Sequence, residues 1–413
     1  MTQIEFFDKI PADNIYNCLI TRPEKVIFVG EDASLMSEYA ERFERVLKAR
    51  GKNPEFVFKT ADKTSLSNLT ELLEKIADQE KECVFDITGG DDLTLVAMGM
   101  VNMKREEKLP MLLFDARNNR SFRFENGQRK ETLCAVEISI SENVAINGGA
   151  VISQTYIPPL DDGGVFLDTQ KMWDCCRINP KMWNTQINFI EAAHRVGRWD
   201  TENLELCAQT ENVKELMESE KVRFVFLNNM MDNLSREGLC EYTFSDSSFR
   251  IKYKNEFVKK CLTKAGQILE MRVYAAAKKM NTNGKPYFAD VKTGVSIDWD
   301  GVYFGTNNNA NGTENEIDVI MTRGASSVFV SCKNGHVSME ELYKLSAVTG
   351  KFGGRYAKKV LVMSADASKG EFFTSFSQRA EDMGIHIIDN VNKISDTDLQ
   401  NRIFTVCEER NAP

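Results

Sequence analysis

Residues 314–335 read ENEIDVIMTRGASSVFVSCKNG, two apolar strand-like runs joined at Gly324, and the second ends in a lysine. Side chains on a strand alternate with period two, so Glu316 and Asp318 share one face of the first run. Ser331 and Lys333 share one face of the second. If the runs are neighbours, an acidic pair and a lysine meet. Lysine is rarely buried without a partner, so Lys333 is either half of a structural ion pair or the positive member of a catalytic group.

The stretches on either side build an α/β unit. EFVKKCLTKAGQILEMRVYAAAKKM, from residue 256, has helical spacing throughout and carries Glu270. VSIDWDGVYF precedes the acidic strand across an Asn-rich turn, TNNNANGTEN. A helix with Glu341 and Lys344 follows Lys333, then the strands KKVLVMSA and GIHIID. With Glu270 approaching from its helix, the carboxylates suit Mg²⁺ or Mn²⁺, which take oxygen ligands and keep waters and phosphate oxygens. Such a metal would polarise a scissile phosphate, and Lys333 would orient the attacking water.

Residues 24–125 have a different rhythm. The runs EKVIFVG, PEFVFKT, CVFDITGG and PMLLFDAR alternate with helical patterns, the first helix capped by Ser34 and stopped at Gly51. That alternation predicts a parallel, Rossmann-like sheet whose ligand lies beyond the carboxyl ends of its strands. The first turn is VGEDAS, without the dinucleotide fingerprint GxGxxG, so an NAD or FAD site is not expected. In DITGGDD, residues 86–92, Gly89 and Gly90 let the backbone approach a ligand, and Thr88 and the next helix N-terminus offer donors. A tight turn with no ligand is the competing reading.

Between these units, TYIPPLDDGG at 155–164 interrupts the pattern. KMWNTQINFIEAAHRVG and RFVFLNNMMDNLSREG read as helices, and LCEYTF and FRIKY flank the turn SDSS as a hairpin. Helices followed by a hairpin resemble a winged helix. The expected organisation is residues 1–160, a Rossmann-like domain; 161–255, a connector; and 256–413, a second α/β domain.

Composition narrows the class. The chain has 413 residues, 42% apolar and 27% charged, and no run near the roughly 20 apolar residues of a bilayer span. MTQIEFFDKIPADN lacks the features of a secretory signal, so a cytoplasmic protein off the membrane is expected. The ten cysteines contain no CxxC, and with only His194, His336 and His386 no zinc-finger spacing arises. Residues 250–413 carry 23 Lys+Arg against 19 Asp+Glu, a net of +4, which leaves −13 for residues 1–249. Any polyanion-handling surface is expected in the C-terminal part.

A Glu in a first helix, an Asp on one strand and a lysine ending the next resemble the PD-(D/E)xK restriction-endonuclease-like superfamily. Its (D/E)xK reads Ser331-Cys332-Lys333 here, so the middle carboxylate is missing. Glu316 or Glu341 supplies that charge, or the main-chain carbonyl of Cys332 completes the metal shell. FDITGGDD followed by NEIDV and FVSCKNG resembles, over nearly the whole chain, the CRISPR-associated Rossmann-fold (CARF) nucleases, ancillary effectors of type III CRISPR systems.

The resemblance implies a homodimeric antiviral-defence endonuclease, with a cyclic oligoadenylate, commonly cyclic tetra-adenylate, bound across the dimer as activator. Gly30, Glu31, Thr88, Gly89, Gly90 and Asp91 would meet the ring. Glu270, Glu316, Asp318, Ser331 and Lys333 would be catalytic, with metal held by Glu270, Asp318 and the Cys332 carbonyl. The substrate would be single-stranded RNA or DNA, with nicking of duplex DNA as an extension. Two alternatives stand beside it: a ligand-responsive transcriptional regulator with a degenerate nuclease domain, and a ring nuclease that degrades its own activator.

Overall fold

A computed structural model describes residues 1–126, 128–132, 136–157, 164–301, 314–335, 337–368 and 371–409. Most of the Asn-rich turn and residues 158–163 of the interrupted stretch lie outside the described residues.

The N-terminal sheet has the strand order Glu55–Thr60, Lys25–Gly30, Thr2–Phe6, Cys83–Asp86, Met111–Asp115, Arg120–Glu125, Gln128–Thr132. Its first five strands are parallel, and the last two form an antiparallel hairpin. The central strand, Thr2–Phe6, is absent from the sequence reading. It is wholly buried, yet Gln3 and Glu5 break its apolar pattern, so the periodicity is hidden. Asp32, not Ser34, caps the first long helix, taking the amides of Ser34 and Leu35 on its carboxylate. The cap therefore stands two positions ahead of the expected one. Gly51, just past that helix, has φ +70°, the left-handed conformation a helix stop requires.

The C-terminal sheet runs Ile385–Ile388, Lys358–Met363, Ser326–Lys333, Glu314–Arg323, Asp290–Asp298, Ala150–Ser153. Glu314–Arg323 pairs antiparallel with both Asp290–Asp298 and Ser326–Lys333, as the alternation of the opening stretch implies. The edge strand Ala150–Ser153 bonds to Asp290–Asp298, so the chain joins this sheet ahead of residue 160. The stretch read as one long helix from 256 is two, Glu256–Leu262 and Gln267–Lys279. Thr263 and Gly266 flank the break, Gly266 standing at the N-cap, and neither favours a helix interior.

Cys240–Phe244 and Ser248–Tyr253 form the expected hairpin, with two further short strands completing a four-stranded sheet. The helices Gly164–Ile178 and Pro180–Val196 share one apolar core with Gln267–Lys279, including Trp173, Trp183, Leu269 and Val273. Arg272 fixes that helix: its guanidinium lies 4.4 Å over the Trp173 ring and donates to the carbonyls of Val391 and Ile394.

The N-terminal and C-terminal units touch directly. Tyr16 donates its hydroxyl to the Ala325 carbonyl, 3.0 Å away, in the turn joining the strands that carry Asp318 and Lys333. Asp13 pairs with Arg355 at 3.3 Å. The nine described cysteines are free thiols.

Candidate active site

Glu270 sits in the first turn of a helix whose residues 267–277 are all buried. It is 3% exposed, and its Oε2 accepts from the Gln267 amide at 3.0 Å. Burial, followed by the field of Asp318, raises its pKa to about 7. Burial also raises Asp318, against the pull of the Cys332 amide and Lys333. The charge of Asp318 disfavours charge on Glu270, the arrangement expected where a cation belongs.

Asp318 also explains where the pairing of the two strands ends. The backbone register of the pair runs from Arg323↔Ser326 to Val319↔Val330. At the next position the Asp318 carboxylate takes the Cys332 amide at 2.6 Å and the Ser331 hydroxyl at 3.3 Å. A side chain has replaced the ladder partner there, which holds Asp318 and Ser331 side by side.

Two lysines complete the group. Lys333 pairs with Glu341 at 2.9 Å, from the first turn of the helix Met339–Phe352. Its ion-pair partner is thus the helix that follows, not the acidic strand before it. Lys264, in the break between the two helices, lies 2.6 Å from Glu316 and 3.7 Å from Glu270. Burial pulls Lys264 down, but Glu270, Glu316 and Asp318 together outweigh it and its pKa is raised. The sequence reading missed Lys264 because a continuous helix gave it no reason to turn toward Glu270. The Gly266 position was the available signal.

Glu270, Asp318, Ser331, Cys332 and Lys333 therefore converge, and Glu316 stands half-exposed at the rim through Lys264. Four carboxylates, counting Glu341, face two ammonium groups, leaving two formal negative charges. Among the described residues no three His, Cys, Asp or Glu side chains form a metal-binding cluster. Glu270 and Asp318 fit a divalent ion as a pair, with main-chain, water and phosphate oxygens left to fill its shell. Gln267 supports the fit: it is 1% exposed, and its Oε1 has no hydrogen-bond partner among the described residues.

The residues expected to meet the ring gather at the carboxyl edge of the N-terminal sheet. Gly30 and Glu31 end one strand, and Thr88–Asp91 follow another, with Thr2–Phe6 between the two. Their immediate partners are internal. Thr88 donates its hydroxyl to Asp86 and accepts from Asn17 and the Phe114 amide. A Cβ on Gly89 would lie 2.9 Å from the Phe6 carbonyl, and one on Gly90 2.7 Å from the Phe6 Cβ. The glycines thus let this turn close over the strand Thr2–Phe6. Asp91 caps the helix Asp92–Lys104 and pairs with Lys63 at 2.8 Å.

No protein-family model matches the chain, and no curated protein matches it by sequence. Solved structures do match. The crystal structure of protein VC1899 from Vibrio cholerae has a TM-score of 0.71 and 17% identity, over 98% of this chain and 97% of that one. Can2 from Sulfobacillus thermosulfidooxidans, solved in complex with cyclic tetra-adenylate, has a TM-score of 0.68 and 14% identity, over 99% of each chain. The chain shares its fold with Can2. The likeness runs end to end, so the expected α/β class, a Rossmann-like unit followed by a second α/β domain, holds for the whole chain.

Proposed function

We propose that the chain is a nuclease activated by cyclic tetra-adenylate and dependent on Mn²⁺ or Mg²⁺, acting on single-stranded RNA or DNA in type III CRISPR antiviral defence. The observation that carries this reading is the meeting of Glu270 and Asp318, two buried carboxylates whose pKa values are both raised, beside Lys333. Glu270, Asp318 and the Cys332 main-chain carbonyl would hold the metal, which when bound supplies polarisation of the phosphate and a more acidic water. Lys333, steadied by Glu341, orients the attacking water and offsets charge developing on the phosphate. Ser331, fixed on Asp318, offers a hydroxyl beside them.

The end-to-end fold likeness to Can2, a protein solved with cyclic tetra-adenylate, supports the ring as activator. A homodimer is supported by the helix Asp92–Lys104, which follows the Thr88–Asp91 turn. It buries Ala97, Met98 and Val101 on one side and exposes Leu93, Val96, Met100 and Met103 on the other. An apolar stripe of that kind, next to the ring loops, fits a two-fold contact with the ring on its axis. Among the described residues no helix is long and apolar enough to cross a membrane.

A DNA-reading regulator is less well supported, because Arg250 and Lys254 of the hairpin strand and its end are engaged by Glu205 and Asp168. The test is incubation with labelled RNA and DNA, with and without cyclic tetra-adenylate, in Mn²⁺, Mg²⁺ or EDTA. Cleavage requiring both ring and metal is expected. Cleavage in EDTA, or none in any combination, would overturn the reading.

A further inference from the structure

Lys264 has no part in the reaction as written, although it stands between two carboxylates of the site, 2.6 Å from Glu316 and 3.7 Å from Glu270. We propose that Lys264 is a resident counter-ion that the divalent metal displaces, and that its freed ammonium then binds a phosphate of the substrate strand. The inference rests on the metal-dependent reading of Glu270 and Asp318.

Three observations support it. The Lys264 ammonium bridges Glu270, a proposed metal ligand, and Glu316, which is not one. A dication on Glu270 and an ammonium 3.7 Å from the same carboxylate would repel, so one must move. Lys264 can: its side chain is 47% exposed and flexible, while that of Glu270 is 4% exposed and held by Gln267. It also has somewhere to go. Glu316 is 49% exposed and marks the solvent side of the site, where a nucleic-acid strand must enter. Lys333 is held on the other side by Glu341, so the two lysines have separate tasks.

The test uses the full-length protein and titrates Mn²⁺ by calorimetry without nucleic acid. Lys264→Met should bind Mn²⁺ several-fold tighter than wild type, because the competing cation is gone, and Lys264→Arg should not. In Ca²⁺, the salt dependence of single-stranded DNA binding should fall in Lys264→Met by about one phosphate contact, a slope change of about 0.7. Lys264→Gln repeats both measurements should the methionine variant aggregate. A wild-type protein that binds Mn²⁺ while Lys264→Met and Lys264→Gln bind it no tighter overturns this inference alone. An unchanged salt slope removes the phosphate role. A wild-type protein that binds no Mn²⁺ removes the metal reading and this inference with it.

Discussion

Lys333 and Glu341 pair at 2.9 Å, joining the end of the core strand to the first turn of the helix after it. Both side chains keep a quarter or so of their exposure, so the pair resembles a surface ion pair more than a buried one, worth about 0–1 kcal/mol. Lys333→Ala should therefore melt close to wild type. If the ammonium serves the attacking water, ring-activated cleavage should fall on the order of 10²-fold or more. A variant that melts normally and cuts at the wild-type rate would remove the catalytic role.

Glu270 gives a pH signature independent of substrate. Its pKa is about 7 in the folded chain, against an ordinary value near 4.5. The folded state thus holds a proton that the unfolded state releases between those values, so stability falls as pH rises through that window and levels off above it. In EDTA, the melting temperature should decline from about pH 5 to about pH 8, and Glu270→Gln should flatten the decline. Equal slopes in the two proteins would contradict the shift.

Gly90 is a poor probe of ring contact, for a structural reason. Its φ is +94°, and an added Cβ would lie 2.7 Å from the Phe6 Cβ. Gly90→Ala should destabilise the N-terminal unit by about 1–3 kcal/mol, whatever it does to ring binding. Thermal unfolding checks this, and an unchanged melting temperature would show that the turn can relax.

The exposed stripe of the helix Asp92–Lys104 carries the assembly prediction. Val96→Glu with Met103→Glu should give a monomer by light scattering and abolish ring binding, since both side chains face solvent in the single chain. A monomer that still binds the ring one-to-one would overturn the dimeric arrangement.

Strand parity was enough to bring Glu316, Asp318, Ser331 and Lys333 together, because the period-two rule holds wherever one sheet face is buried. It could not reveal Lys333's partner, which comes from the next helix and depends on how that helix packs. Lys264 was hidden for a local reason: helical periodicity continues across Thr263–Gly266, and only capping geometry shows the break. Thr2–Phe6 was lost because Gln3 and Glu5, both 0% exposed, place polar side chains inside the core. Gln3 donates to Glu5 and Asp86, a compensation that no local pattern displays. The DITGGDD turn lies at the carboxyl edge of the sheet, as the strand alternation predicts, and the packing of its glycines on Phe6, 83–84 residues away in the chain, was beyond any local pattern.

The measurement that bears most directly on the active-site reading is ring-activated cleavage in Mn²⁺ by Asp318→Asn, alongside its melting temperature in EDTA. Asparagine keeps an oxygen for the Cys332 amide, now taken by the carboxylate at 2.6 Å, and removes the charge that opposes Glu270. The variant should melt at or above the wild-type temperature near neutral pH while cleavage falls at least about 10²-fold, the size of loss expected for a catalytic group. Cleavage at the wild-type rate by a normally folded Asp318→Asn protein would contradict the assignment of Asp318 to the chemistry.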